Sequence, residues 1–135
     1  MSIPGNGLLL RLPFPDNNKL SGKRTFLSIG EEDGYIHLLN VSSIIGKESK
    51  LLKASNEKII KFNPPFDLPS MVKLDALYRV EVCNDLNRCI LCNGHPLDAD
   101  EFDRIYGLYQ VYKSKKRVLE SVTSASELKE YLKKR

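Results

Sequence analysis

Three cysteines and a histidine crowd one short stretch. Cys83, Cys89, Cys92 and His95 fall within 13 positions, and "CILCNGHP" holds a Cys-x-x-Cys pair. Thiolate and imidazole at such spacing are zinc ligands by type, but a structural zinc site usually joins two separated pairs and only one is present. A redox Cys-x-x-Cys opens a helix after a strand, whereas this one runs into Gly-His-Pro. Structural thiols are therefore the favoured reading, and no metal site is assigned. A second pattern lies in "SMVKLDALYRVEV", residues 70–82. Read as one strand, it puts Val72, Leu74 and Ala76 on one face and Lys73 and Asp75 on the other, since side chains alternate. Residues two apart in a strand stand ~6.5–7 Å from each other. A cation and a carboxylate would then project side by side, as a proton-transfer pair or as a solvated surface pair worth little. A third feature is the polar loop of "LPFPDNNKLSGKRTFLSI", which carries Lys19, Ser21, Lys23 and Arg24 between two apolar runs.

The elements that must hold these groups are mostly strands. "GLLLRLPF" sets Leu8, Leu10 and Leu12 on one face, with Arg11 opposite. "RTFLSI" is a second strand and ends at a turn cluster closing in Asp-Gly. "YIHLLNVSSII" is nearly continuous in apolar character, as a strand buried on both faces would be. "KLLKASNEKIIKF" fits either a strand pair or a short helix, and prolines at 64, 65 and 69 disfavour regular structure after it. "LDADEF" then starts a helix: Asp98 caps it, Glu101 fits the N3 position of a capping box, and Leu97 with Phe102 fits a hydrophobic staple. Phe102, Ile105, Tyr106, Tyr109 and Tyr112 form a stripe at helical spacing that packs on the β body. "SASELKEYLKKR" repeats the start signal with Ser124 and Glu127, while "KRVLESV" between the two suits strand or helix equally. His37 and His95 read as structural.

The chain of 135 residues suits a single domain. Its class is mainly β (α+β): a small barrel body over about 4–95 and a helical part over about 98–135. No apolar window is long enough for a membrane span. The N-terminus lacks the basic start of a signal peptide, which makes the cytoplasm the expected compartment. Eight of the 21 Lys/Arg but only three of the 17 Asp/Glu lie from Lys113 onward. The basic excess is thus C-terminal, suiting a polyanion, an acidic partner or a solubilising tail equally.

Three segments in order resemble the MazF/PemK (Kid) toxin family. "PGNGLLLRLPFPDNNKLSGKRTFLSI" resembles its Pro-Gly entry, first strand, polar loop and Gly-basic-Arg start to the second strand. "HLLNVSSII" resembles the following strand, which ends in a Thr/Ser turn, and "MVKLDALYRVEV" resembles the strand carrying a basic-x-Asp element. The resemblance implies an SH3-like β-barrel, a homodimer, and metal-independent cleavage of single-stranded RNA with no cofactor. It also implies inhibition by an acidic antitoxin. By the same resemblance Arg24 would stabilise the phosphate, and Ser42 would donate to a phosphate oxygen with Ser43 beside it. Asp75 would take the 2′-OH proton, and Lys73 would be a second cation or proton donor. Lys19, Ser21 and Lys23 would touch the RNA backbone.

The match has departures. Thr25 stands where Pro is common after the arginine, Asn6 where an acidic residue is common, and Lys73 where Arg is frequent. The first loop also lacks the histidine of the PemK-like branch. These departures favour an alternative, a catalytically degenerate RNA- or protein-binding module on the same barrel. A small zinc protein built on Cys83, Cys89, Cys92 and His95 is a third reading.

Overall fold

The alternation in "GLLLRLPF" produces the first strand. In the computed structural model, which describes residues 4–134, β1 (Gly7–Leu10) pairs antiparallel with β2 (Arg24–Glu32). Leu8, Leu10 and Leu12 are all fully buried in one apolar cluster, while Leu9 between them is partly exposed. A two-residue Asp33-Gly34 turn, both residues at positive φ, joins β2 to β3 (Tyr35–Ser43). Asp-Gly is the dipeptide such a tight hairpin prefers, because both central residues need positive φ.

β3 organises the sheet. One of its edges runs along β2, and its other edge is shared: residues 35–38 pair with β6 (Ala76–Glu81) and residues 41–43 with β5 (Ser70–Lys73). β4 (Asn56–Ile59) flanks β5, and β7 (Leu119–Thr123) runs parallel to β6. The result is a mixed α+β fold with one seven-stranded, mainly antiparallel sheet. β3 is buried on both faces, as its apolar run predicts. Leu39 and Val41 enter one cluster with Leu27, Val72 and Leu77, while Ile36 and Leu38 enter the other with Leu8, Phe26 and Tyr78.

Two expectations are corrected here. Residues 70–82 are not one strand. The chain leaves β5 at Leu74, whose amide donates to the Ser55 carbonyl at 2.7 Å, and then re-enters the sheet as β6 against the other half of β3. The shared face therefore breaks: Val72 and Leu74 belong to the first cluster, but Ala76 packs on the second. The C-terminal part is also not wholly helical. "KRVLESV" contributes β7, pinned to β6 from the Leu119 amide, which donates to the Asp75 carbonyl at 3.0 Å. The ambiguous residues 50–62 divide into a 3-10 turn (Glu48–Leu52) and β4.

Each face of the sheet receives a helix. α1 (Ala99–Lys115) places Ile105 and Tyr109 in the first cluster, with Phe102 and Tyr112 against it. Tyr106 departs from the expected stripe: it is 37% exposed and stacks on Phe102 outside the core. Asp98 caps α1 by accepting the Glu101 amide, but the box is not reciprocal. The Glu101 carboxylate turns instead to the Ile60 amide (2.6 Å) and to Arg104, whose guanidinium also reaches Glu57 and the Lys58 carbonyl. These bonds cover the outer edge of β4. α2 (Ala125–Lys133) opens with a full Ser124/Glu127 box and buries Leu128 in the second cluster. No helix among the described residues is long and apolar enough to cross a membrane.

Candidate functional site

The polar loop of residues 12–24 is an ordered hairpin. Pro13 bridges Leu20, the Phe14 amide donates to the Lys19 carbonyl, and Asn18 at positive φ closes the turn. The Ser21 amide returns to the Leu12 carbonyl and delivers the chain to Arg24 at the start of β2. Phe14 is thereby folded back over the Arg24 guanidinium, 4.3 Å from ring centroid to Cζ. Phe26 and Tyr78 enclose it from below, each at 5.3 Å. A guanidinium over aromatic rings is held by the ring quadrupole without losing its charge.

Two hydrogen bonds fix the orientation. Arg24 Nε donates to Ser21 Oγ at 3.0 Å and Nη2 donates to Tyr78 Oη at 3.2 Å. Ser21 Oγ donates its own hydrogen bond to the Gly22 carbonyl and accepts from Arg24, so its hydroxyl is committed within the protein. Ser21 is buried, and its place is beneath the arginine and not on the hairpin's outer surface.

Arg24 lies in the wall of a cleft of about 260 Å³ shared with Phe14, Asn40, Lys73, Asp75 and Tyr78. Three of the four residues expected to be catalytic are therefore brought together from separate segments. Lys73 is the last residue of β5, and Asp75 sits in the bend before β6. The break in the strand changes how they arrive, but both still open onto the cleft. No ion pair among the described residues includes Arg24, Lys73 or Asp75. Asp16 contributes a second carboxylate at the rim.

Lys73 is the electrostatically perturbed group. Its ammonium is held below the usual lysine pKa, first by burial and then by the charges of Lys50, Arg24 and Lys47, with Asp75 opposing. Burial removes water that would stabilise the cation, and like charges add repulsion. An anion entering the cleft would relieve both costs at once.

The other expected residues are not in this wall. Ser42 shares its face of β3 with Asn40, one pleat further on, and its hydroxyl accepts from Lys47 Nζ at 3.4 Å. Ser43 points the opposite way, as the next residue in a strand must. It lines a hollow of about 510 Å³ on the far face, with Leu9, Phe66, Leu68 and Cys92. Lys19 and Lys23 are exposed on the hairpin, and the Lys23 charge is felt at Cys89.

Three cleft residues escaped the sequence reading. Phe14 read as the end of the first apolar run, and Tyr78 as one more position of the 70–82 strand. Asn40 gave the readable signal, an amide inside an otherwise apolar strand.

The cysteine stretch behaves differently. Cys83, Cys89 and Cys92 are free thiols with half-buried, buried and exposed positions. Cys89 packs with Leu86 in the second cluster, where burial pushes its thiol pKa up. His95 is exposed, and no three His, Cys, Asp or Glu side chains among the described residues are grouped to hold a metal. His37 lies half-buried opposite Arg79, with Nε2 making no hydrogen bond among the described residues, and burial and Arg79 lower its pKa. No protein-family model matches the chain, and no curated protein matches it.

Proposed function

We propose that the protein is a metal-independent endoribonuclease of the toxin type, acting in the cytoplasm on single-stranded RNA as a homodimer and neutralised by an acidic antitoxin. The observation that carries this reading is the meeting of Arg24, Lys73 and Asp75 in one cleft under an ordered basic hairpin. The resemblance of the three segments to MazF/PemK toxins supplies the reaction, and an SH3-like barrel is the architecture it assigns to the sheet.

In the proposed step the 2′-oxygen of a ribose attacks the adjacent phosphorus while its proton passes to the Asp75 carboxylate. The bond from phosphorus to the 5′-oxygen breaks, and that oxygen takes a proton from the Lys73 ammonium. The products are a 2′,3′-cyclic phosphate and a 5′-OH. Arg24 stabilises the charge that builds on the non-bridging oxygens, a task suited to a fixed guanidinium. Its enclosure by Phe14, Phe26 and Tyr78 means little reorganisation is needed when that charge appears. A lysine with a lowered pKa is a better acid for the leaving oxygen than an ordinary one. Ser42, outside the cleft, is assigned to the backbone of a flanking nucleotide with Lys47, and Lys19 and Lys23 to phosphates further along.

Purified protein incubated with single-stranded RNA in EDTA should yield cyclic-phosphate ends, and Arg24→Ala should stop cleavage in a protein that still folds, with a lowered unfolding temperature from the lost ring contacts. Cutting by Arg24→Ala at the wild-type rate overturns the assignment. The position of Ser42 outside the cleft favours a second reading, an RNA-binding module that does not cut. Tight, salt-sensitive RNA binding with no product after long incubation selects it.

A further inference from the structure

We propose that Asn40 makes the cleft selective for ribose, by accepting a hydrogen bond from a nucleotide 2′-OH through its side-chain carbonyl. The proposal rests on the reading of the cleft as an RNA site and names a residue that the reading does not use.

Asn40 is only 3% exposed, yet it lines the cleft beside Arg24 and Lys73. Its Nδ2 donates to the Thr25 carbonyl at 3.0 Å. That bond fixes which end of the amide is which, because only the NH2 group can face a carbonyl oxygen. Oδ1 is thereby turned away from β2. It accepts no hydrogen bond among the described residues, and it is not sealed from the cleft. A buried amide almost always satisfies both ends. Here one end is tied down by the sheet and the other is left as an open acceptor.

The surroundings define what this acceptor can take. Asn40 pairs across the sheet with Phe26, so it shares a face with Phe26 and with Arg24 two residues earlier. Arg24 and Lys73 are cations and donate only, and they suit the phosphate. An acceptor that neighbours them suits a donor on the sugar next to that phosphate. In RNA the 2′-OH is such a donor, and it distinguishes RNA from DNA at a given site. An asparagine carbonyl has no charge and too little basicity to remove the proton. The hydroxyl that it holds is that of a nucleotide flanking the cut, because the attacking 2′-OH has a single proton and gives it to Asp75. Asn40 is thus a positioning residue while Asp75 remains the base.

The test compares binding of three oligonucleotides of one base sequence: RNA, DNA with deoxyuridine for thymidine, and 2′-O-methyl RNA, which keeps the 2′-oxygen but loses its proton. An Asp75→Asn background slows cleavage enough for binding to be read before the RNA is cut. The expected result is RNA bound about fivefold to tenfold tighter than the other two, the worth of one hydrogen bond. Asn40→Thr then reduces that preference to within about twofold while DNA affinity holds. Threonine suits a strand, its hydroxyl can still serve the Thr25 carbonyl, and it is too short to present an acceptor to the cleft.

Equal binding of RNA and 2′-O-methyl RNA by the parent protein overturns the proposal, and that measurement needs no variant at position 40. A preference that survives Asn40→Thr overturns it as well. If Asn40→Thr instead erases a difference between base sequences and leaves the RNA-to-DNA ratio alone, the donor is a base and the ribose assignment fails. In each of these cases the cleft still binds nucleic acid. Failure to bind any of the three oligonucleotides overturns the nuclease reading together with this one.

Discussion

Cys83, Cys89, Cys92 and His95 are crowded in the chain, yet no three of them among the described residues converge as a metal site, whereas Arg24 lies some way along the chain from Lys73 and Asp75 and still shares a cleft with them. The difference lies in the backbone between them. Residues 84–89 and 92–94 are short 3-10 turns, with Cys92 and Asn93 at positive φ. Such turns send successive side chains in unrelated directions, so nearness in sequence does not become convergence. The cleft residues hang from one sheet in which β3 fixes β2 on one side and β5 and β6 on the other. Cross-strand neighbours share a face whatever their separation along the chain. A cluster of reactive residue types therefore signals a site only when regular structure aims it.

Substitutions in the two regions should separate sharply. The largest effect is expected at Arg24. Arg24→Ala should lower the cleavage rate by about a thousandfold or more, the scale on which losing a preorganised charge stabiliser acts, and a stopped-time RNA assay reads it. Asp75→Asn should cost about a hundredfold, the usual weight of a general base. The pH profile sharpens the role of Lys73. Its pKa is lowered in the folded protein, so the acid needed by the leaving oxygen is lost as pH rises through a value below that of an ordinary lysine. The alkaline fall in rate should begin early in the wild type and move to higher pH in Lys73→Arg, whose charge does not titrate in that range.

A smaller, structural effect concerns Glu101. Its folded pKa is depressed, chiefly by hydrogen bonding from Arg104 and against the pull of burial. Its stabilisation is complete above the unfolded carboxylate pKa and is lost as pH falls from there through the folded value. Glu101→Gln should therefore lower the unfolding temperature at neutral pH, and the gap to wild type should close in acid. The smallest effect is expected in the cysteine stretch. Exposed Cys92→Ser should change stability by no more than about 0.5 kcal/mol, with cleavage unaltered. A rate loss there as large as that of Arg24→Ala would invert the contrast between the two regions.

Much of the fold was legible because period and capping are local properties. The three leucines of "GLLLRLPF", the Asp-Gly turn, the doubly buried β3 and both helix starts follow from neighbouring residues. The division of 70–82 was not legible, because the reason for it lies at Ser55 and in the two halves of β3, far from the segment itself. β7 was hidden for a related reason: a parallel partner is chosen by the sheet, not by a turn next to it. For the candidate site, the sequence singled out Lys73, Asp75 and Arg24, but the cleft that they share is also walled by a hairpin that folds Phe14 back onto the arginine. Ser42 and Ser43 look equivalent as neighbours, and the strand sends them to opposite faces.

The contacts of α1 with β4 bear on a hazard unrelated to the cleft. An uncovered sheet edge is a template on which another chain can add a strand, the first step toward fibrillar aggregates. The Lys58 carbonyl and Ile60 amide, which would present that template, are occupied by Arg104 and Glu101. Ile60 is itself an exposed apolar side chain at that border. The helix that fills the core thus also acts as a guard rail, and a chain whose α1 has not yet docked is the form most exposed to self-recruitment during synthesis.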